Sequence, residues 1–188
     1  MHLESKRLFL REFTPNDWPA LNAYTSDPDV VKYMPFGPTT EAQTREHLSQ
    51  CLAYAAEQPR RIYELAVVLR AKNHLIGTVT LALHPQERRH AAFSYLLHHQ
   101  YWGQGYTTEA MRTLISFGFS VLQLHRIEDT CDTRNQASAR VMEKLGMRRE
   151  GHLRETIWKD GHWYDEYIYA ILANEWPMKA TTETHSPK

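Results

Sequence analysis

The stretch that most constrains this chain is Gln100-Tyr101-Trp102-Gly103-Gln104-Gly105-Tyr106. An extended run, Ala91 to Leu97, precedes it, and a long amphipathic segment, Thr107 to Leu122, follows. A strand that turns through two glycines into a helix leaves several backbone N–H groups at the helix N-terminus without intrahelical partners. The helix dipole adds partial positive charge there, so such a turn suits a phosphate. Gly103 and Gly105 carry no side chain to block a close approach.

Taken in order, Arg7 to Phe13 alternates, with Leu8 and Leu10 on one face, and reads as a first strand. Thr14-Pro15-Asn16-Asp17 starts a helix that runs to about Thr25. Ser26 to Asp29 and Pro35 to Pro38 are breaks. Between them, Val30 and Val31 read as core, while Tyr33 to Phe36 either pack or line a substrate mouth. Thr39 or Thr40 caps a helix from Glu41 to about Gln58, with Ala42, Leu48, Leu52 and Ala56 as its apolar face and Cys51 and Ala55 beside it. Ile62 to Leu69, Leu75 to Leu83 and Ala91 to Leu97 read as an antiparallel meander, with Pro85 to Arg89 as the last connection. The helix after the glycine turn, to Leu122, buries Ala110, Met111, Leu114, Ile115, Gly118, Val121 and Leu122. Arg126 to Thr133 is a strand, and Asn135 to Leu145 a helix burying Ala137, Val141 and Leu145, stopped by Gly146. Met147 to Trp158 and Trp163 to Leu172 form a hairpin through Lys159-Asp160-Gly161. The reading is one domain over residues 1–176, with a polar, flexible tail over 177–188.

The formal net charge is zero, from 22 Lys plus Arg against 22 Asp plus Glu, which argues against a broad nucleic-acid surface. No apolar run approaches the ~20 residues that span a bilayer, and the segment from Met1 to Lys6 lacks a signal-peptide core. Two cysteines, Cys51 and Cys131, fit a reducing compartment, so the expected location is cytoplasmic. Eleven histidines occur without an HExxH, CxxC or Cys/His cluster, so no metal is expected.

Gln100-x-x-Gly103-x-Gly105, the run Tyr101 to Ala110, Arg134-Asn135-Gln136-Ala137-Ser138 through Met147, Glu150-Gly151, Asp165 and Leu8-x-Leu10-Arg11 occur in one order. Together they resemble the GCN5-related N-acetyltransferase (GNAT) superfamily, and its RimJ/RimL-like branch in particular. The resemblance implies an α+β fold: a central mixed, mostly antiparallel sheet of six to seven strands, splayed open and flanked by about four helices. It implies acetyl-CoA as co-substrate, with CoA held by the amides around Trp102, Gly103, Gln104, Gly105, Tyr106 and Thr107. The strand end at Leu96 and Leu97 would pair with the pantetheine arm, and Asn135 would face it. Many members carry a tyrosine seven residues after the Asn135 position as proton donor to the departing thiolate. Here that residue is Met142, which donates nothing, and Ser138 is the candidate donor.

Transfer to an amine also needs a base and a group that polarises the thioester carbonyl. Glu155 leads the candidate bases, followed by Glu109, Asp165 and the pair His98 and His99. Phe36 and Trp163 are candidates for the acceptor groove. The expected partner is a primary amine, either a protein N-terminus, possibly ribosomal, or a small molecule such as a polyamine, amino acid or amino sugar. No nucleic acid or membrane is expected, and the chain would act as a monomer or homodimer. Three rival readings stand beside this one: a CoA-binding module without catalysis, transfer through an acetylated cysteine, and a dinucleotide-binding Rossmann domain. The last would need Gly-x-Gly-x-x-Gly and parallel strands before it.

Overall fold

The computed structural model describes residues 1–84 and 89–177. The strands are β1 (His2–Glu4), β2 (Leu8–Arg11), β3 (Ile62–Leu69), β4 (His74–Leu83), β5 (His90–Leu97), β6 (Arg126–Asp132), β7 (Arg148–Lys159) and β8 (His162–Leu172). The helices are α1 (Trp18–Thr25), α2 (Glu41–Ala56), α3 (Tyr106–Ser120) and α4 (Gln136–Lys144). All eight strands lie in one sheet, ordered β1-β2-β3-β4-β5-β6-β8-β7. Every neighbouring pair is antiparallel except β5 with β6. The expected six to seven strands become eight among the described residues, because His2–Glu4 folds back onto Phe9–Arg11. Three residues are too few for an alternation to show in the sequence.

Both faces of the sheet are covered. Leu65, Val67 and Leu69 of β3 face one core, built with α3 and α4 residues such as Met111, Leu114 and Met142. Ala66 and Val68 face the other, with Leu21 and Tyr24 of α1 and Leu48 and Cys51 of α2. That burial on both sides is why β3 reads as a continuous apolar run.

Local chemistry fixes the helices. Asp17 anchors the entry to α1 by accepting from Arg11 Nη1 and Nη2 at 2.7 and 2.8 Å and from Thr14 N–H at 2.6 Å. Thr40 and Gln43 form a reciprocal capping box on α2. The buried face of α2 is Thr44, Leu48 and Cys51, with Leu52 partly buried against it, so that of the expected face Ala42 and Ala56 are the exposed residues. Thr44 tolerates burial because its hydroxyl donates within the protein, with Asn22 Oδ1 at 2.9 Å. In α4 the buried residues are Ala139 and Met142, with Leu145 just beyond, while Ala137 is exposed. α3 ends at Ser120, which leaves Val121 65% exposed beyond the apolar face.

The β7–β8 hairpin turns through Asp160 and Gly161, both at positive φ. Just before that turn, Lys159 Nζ donates to the carbonyls of Val31, Lys32 and Met34 at 2.8–3.0 Å, tying the hairpin to the 31–34 loop. The connection at 85–88 and the tail from 178 onward lie outside the described residues.

Candidate active site

β5 and β6 pair only from His90 to Ala92 against Arg126 to Glu128. Beyond that point β5 stays with β4 as far as Leu97, while β6 stays with β8 as far as Asp132. The strands therefore part, and the β6-side backbone edge of β5 is left unpaired. Alternate residues of an antiparallel strand turn their N–H and C=O to opposite neighbours. His98 N–H donates to Ile76 O, so in the same register Leu96 turns toward β4 while Tyr95 and Leu97 turn toward the gap. The Leu97 carbonyl is taken by Trp102 Nε1 at 2.7 Å, which leaves the Leu97 N–H facing the gap. At the same place the Tyr95 phenol and the Ser138 hydroxyl of α4 are 2.8 Å apart. Burial pushes the Tyr95 phenol well up, so it keeps its proton. Desolvation likewise raises the Asp129 carboxyl, and burial pushes the neighbouring Cys131 thiol up to about 12.

At the mouth of this gap the chain passes through Gly103 and Gly105, at φ +73° and +78°, into α3. Nothing lies within 4 Å of a Cβ placed on Gly103, so glycine is needed there for its backbone conformation. The turn is braced from the N-terminal strands. Glu109 accepts from Ser5 Oγ (2.8 Å), Arg7 N–H (2.7 Å) and Arg7 Nε (2.6 Å). Arg7 Nη1 in turn donates to Gln104 O at 3.0 Å, and its guanidinium lies 4.3 Å from the Tyr106 ring centroid. A cleft of about 810 Å³ runs beside the turn, with Lys6, Arg7, Arg70 and Lys72 in its wall. Free helix-start amides beside four cations suit a ligand with several phosphates.

A second cavity, of about 370 Å³, lies on the opposite face of the sheet, between α1, α2 and the strands. Met34 and Phe36 stand in its wall, and Ser94, Tyr95 and Leu96 join it to the strand where β5 leaves β6. It also contains His47 and Glu64, whose Nε2 and Oε1 are 2.7 Å apart. Cys51 Sγ lies 3.6 Å from the same Nε2. The hydrogen bond that His47 donates to Glu64 raises the His47 pKa against the opposing effect of desolvation. Burial, with Glu64 beside it, pushes the Cys51 thiol up, which disfavours the thiolate that a nucleophilic cysteine needs. Sequence reading missed this group. The one local signal was His47 and Cys51 four residues apart on one helix; Glu64 comes from a strand 17 residues away.

The acetyltransferase (GNAT) domain family matches residues 7–148. The chain belongs to the GNAT acetyltransferase family. It is 39% identical over 176 residues to the uncharacterized N-acetyltransferase YnaD of Bacillus subtilis (strain 168), covering 94% of this chain and 99% of YnaD. The crystal structure of a GNAT-family acetyltransferase from Bacillus anthracis superposes with a TM-score of 0.84 at 36% identity, over 93% of this chain and 100% of that one. Mycobacterium smegmatis RimJ, solved in complex with CoA-disulfide, gives a TM-score of 0.80 at 25% identity, over 91% and 84% of the two chains. The chain is thus an acyltransferase of GNAT type, with RimJ-like relatives.

Within this GNAT frame, the expected site residues separate. Trp102, Gly103, Gln104, Gly105, Tyr106 and Thr107 form the turn and the start of α3. Leu97 and Ser138 lie at the gap, while Leu96 sends its side chain to the 370 Å³ cavity. Asn135 caps α4, its Oδ1 accepting from Ser138 N–H at 3.1 Å. Met142 is fully buried in the core. Glu155 sits on an exposed bulge of β7 at φ +54°, its N–H donating to Asp165 Oδ1, and it is not among the cavity-lining residues. Asp165 also pairs with His152 at 2.6 Å, and His99 pairs with Asp27 at 2.6 Å. Glu109 is the brace described above. Trp163 lies in β8, and its ring centroid is 5.2 Å from that of Trp158. Among the described residues no helix is long and apolar enough to cross a membrane.

Arg7 supplies both the brace and a cleft-lining charge. Arg7→Met removes the guanidinium's part in both, leaving the Ser5 and backbone bonds to Glu109, and both losses act in one direction. The expected result is a CoA Kd raised about tenfold, or ~1.4 kcal/mol, by isothermal titration calorimetry, with kcat at saturating acetyl-CoA little changed.

Proposed function

We propose that this chain is an acetyl-CoA-dependent N-acetyltransferase that acetylates a primary amine by direct attack in a ternary complex. The observation that carries this reading is that the cavity holding His47 and Glu64 and the gap between β5 and β6 share one segment, Ser94 to Leu96. Two substrates entering from opposite faces would meet there, and holding them in line supplies much of the rate.

The amides around residues 102–107 and the cations of the larger cleft would hold the phosphates of CoA, with Asn135 and Ser138 bordering the arm. Acetyl-CoA supplies the acetyl group as a thioester. The Leu97 N–H is aimed where negative charge develops on the carbonyl oxygen. The Tyr95–Ser138 pair delivers a proton to the sulfur. His47, oriented by Glu64, takes the proton of the amine. We assign the base to His47 rather than to Glu155 because His47 lines the cavity while Glu155 lies on an exposed bulge. The two free, buried thiols suit a cytoplasmic setting.

The test is free-thiol release from acetyl-CoA across a panel of small amines and N-terminal peptides, with CoA binding measured in parallel. Amine-dependent release is the expected result. Tight CoA binding without release for any amine would leave a CoA-binding module instead.

A further inference from the structure

The lining of the smaller cavity narrows the acceptor. Its size, about 370 Å³, lies at the lower end of the ~300–1,000 Å³ typical of small-molecule sites. Its body is apolar and aromatic, with Leu21, Met34, Phe36, Tyr54 and Ile62 in the wall. The polar groups there are mostly hydroxyls, such as Thr78, Thr80 and Ser94. Among the described lining residues Glu64 is the one carboxylate, and no lysine or arginine occurs. The rim is also held in: Met34 belongs to the loop whose carbonyls accept from Lys159.

These features select by charge. One carboxylate, already shared with His47, suits one ammonium group. A polyamine would bring further ammonium groups into an apolar wall with nothing to pair them, which is costly. An amino acid would bring a carboxylate to a site without a cation, next to Glu64. An N-terminal peptide would have to thread its following residues, with their backbone polar groups, past the tied loop.

Resting on the acetyltransferase reading above, we infer that the acceptor is a primary monoamine with a compact apolar or aromatic body and no second charge. The ammonium sits at Glu64 and His47, and the body fills the space between Phe36 and Ile62. The ammonium first releases one proton to solvent. The neutral amine attacks the thioester carbon, and its second proton passes to His47 as the amide bond forms. The C–S bond breaks with the sulfur taking a proton from the Tyr95–Ser138 pair, which is restored by the proton that leaves His47, so that one proton is released overall.

The matched probes are 2-phenylethylamine, L-phenylalanine, spermidine and an alanine-initiated peptide, each assayed by thiol release with acetyl-CoA. 2-Phenylethylamine is expected to give a kcat/KM at least 100-fold above the other three. Ala82→Leu, which narrows the cavity, is expected to raise its KM at least tenfold with the CoA Kd unchanged. Should that variant misfold, thermal-shift stabilisation of the wild-type CoA complex by 2-phenylethylamine, absent for L-phenylalanine, reads the same site. Equal or faster turnover of spermidine, L-phenylalanine or the peptide overturns the inference while leaving the acetyltransferase reading intact. No turnover of any probe together with no stabilisation by 2-phenylethylamine overturns it as well. Turnover of amines outside this panel would still support the broader reading.

Discussion

Tyr95→Phe is expected to lower kcat about 100-fold while leaving the KM for acetyl-CoA within about twofold. A positioned general acid contributes ~10²–10⁴-fold, and the phenol is the strongest acid of the two hydroxyls at the gap. An ordinary tyrosine titrates near 10, and burial pushes Tyr95 higher, so at neutral pH its proton is present. Ser138 Oγ, 2.8 Å away, orients the phenol, and it is itself held at the start of a helix capped by Asn135. Ser138→Ala should therefore cost less, about tenfold. The ring stays in Tyr95→Phe, so the lost hydrogen bond changes stability by only ~1 kcal/mol, and a thermal melt separates the two effects. Retention of kcat within threefold in Tyr95→Phe sinks this role. A larger loss in Ser138→Ala than in Tyr95→Phe makes the serine the direct donor. This assignment also answers the missing tyrosine on α4. The side chain at that position, Met142, is wholly committed to the core, and a phenol reaches the gap from the neighbouring strand instead.

What could be read from the sequence was what is local. The glycine turn, the period of α3, the Gly146 stop and the β7–β8 turn each depend on a few adjacent residues, and each lies where the pattern put it. The larger part of the site is not local. Tyr95 and Ser138 are 43 residues apart, and His47 and Glu64 are 17 apart. No periodicity joins such pairs, because the sheet order rather than the chain brings them together. The α2 face was misjudged for a related reason. Alanines at 42 and 56 fit an apolar stripe but bury little area, whereas Thr44 gains a partner in Asn22 and turns inward. Glu155 was chosen for its place on a strand. The strand bulges between Leu153 and Ile157, so the alternation that would aim the side chain fails there.

Replacing the base pair should have an effect as large as that at Tyr95, and one readable by pH. His47→Gln is expected to reduce kcat/KM for the amine 100-fold or more at pH 8, with CoA binding unchanged. Glu64→Gln keeps the imidazole but removes its carboxylate. In the wild type the hydrogen bond donated to Glu64 raises His47 above its ordinary value of 6.5, against desolvation. The base works only when neutral, so activity falls as pH drops through that raised value. Without the carboxylate, desolvation remains and favours the neutral ring. The acid limb of kcat/KM therefore moves to lower pH, while the plateau falls about tenfold because the imidazolium that forms is no longer stabilised. The amine's own titration is common to both proteins, so the difference between profiles isolates the pair. Stability gives an independent check. A group whose folded pKa is raised contributes stability that is fully present below its unfolded pKa and lost as pH rises through the folded one. Glu64→Gln should then lower the melting temperature relative to wild type more at pH 6 than at pH 8.5. An acid limb that stays in place, or moves upward, would remove His47 from the role of base and return the search to Asp129, whose carboxyl desolvation raises well above its ordinary range.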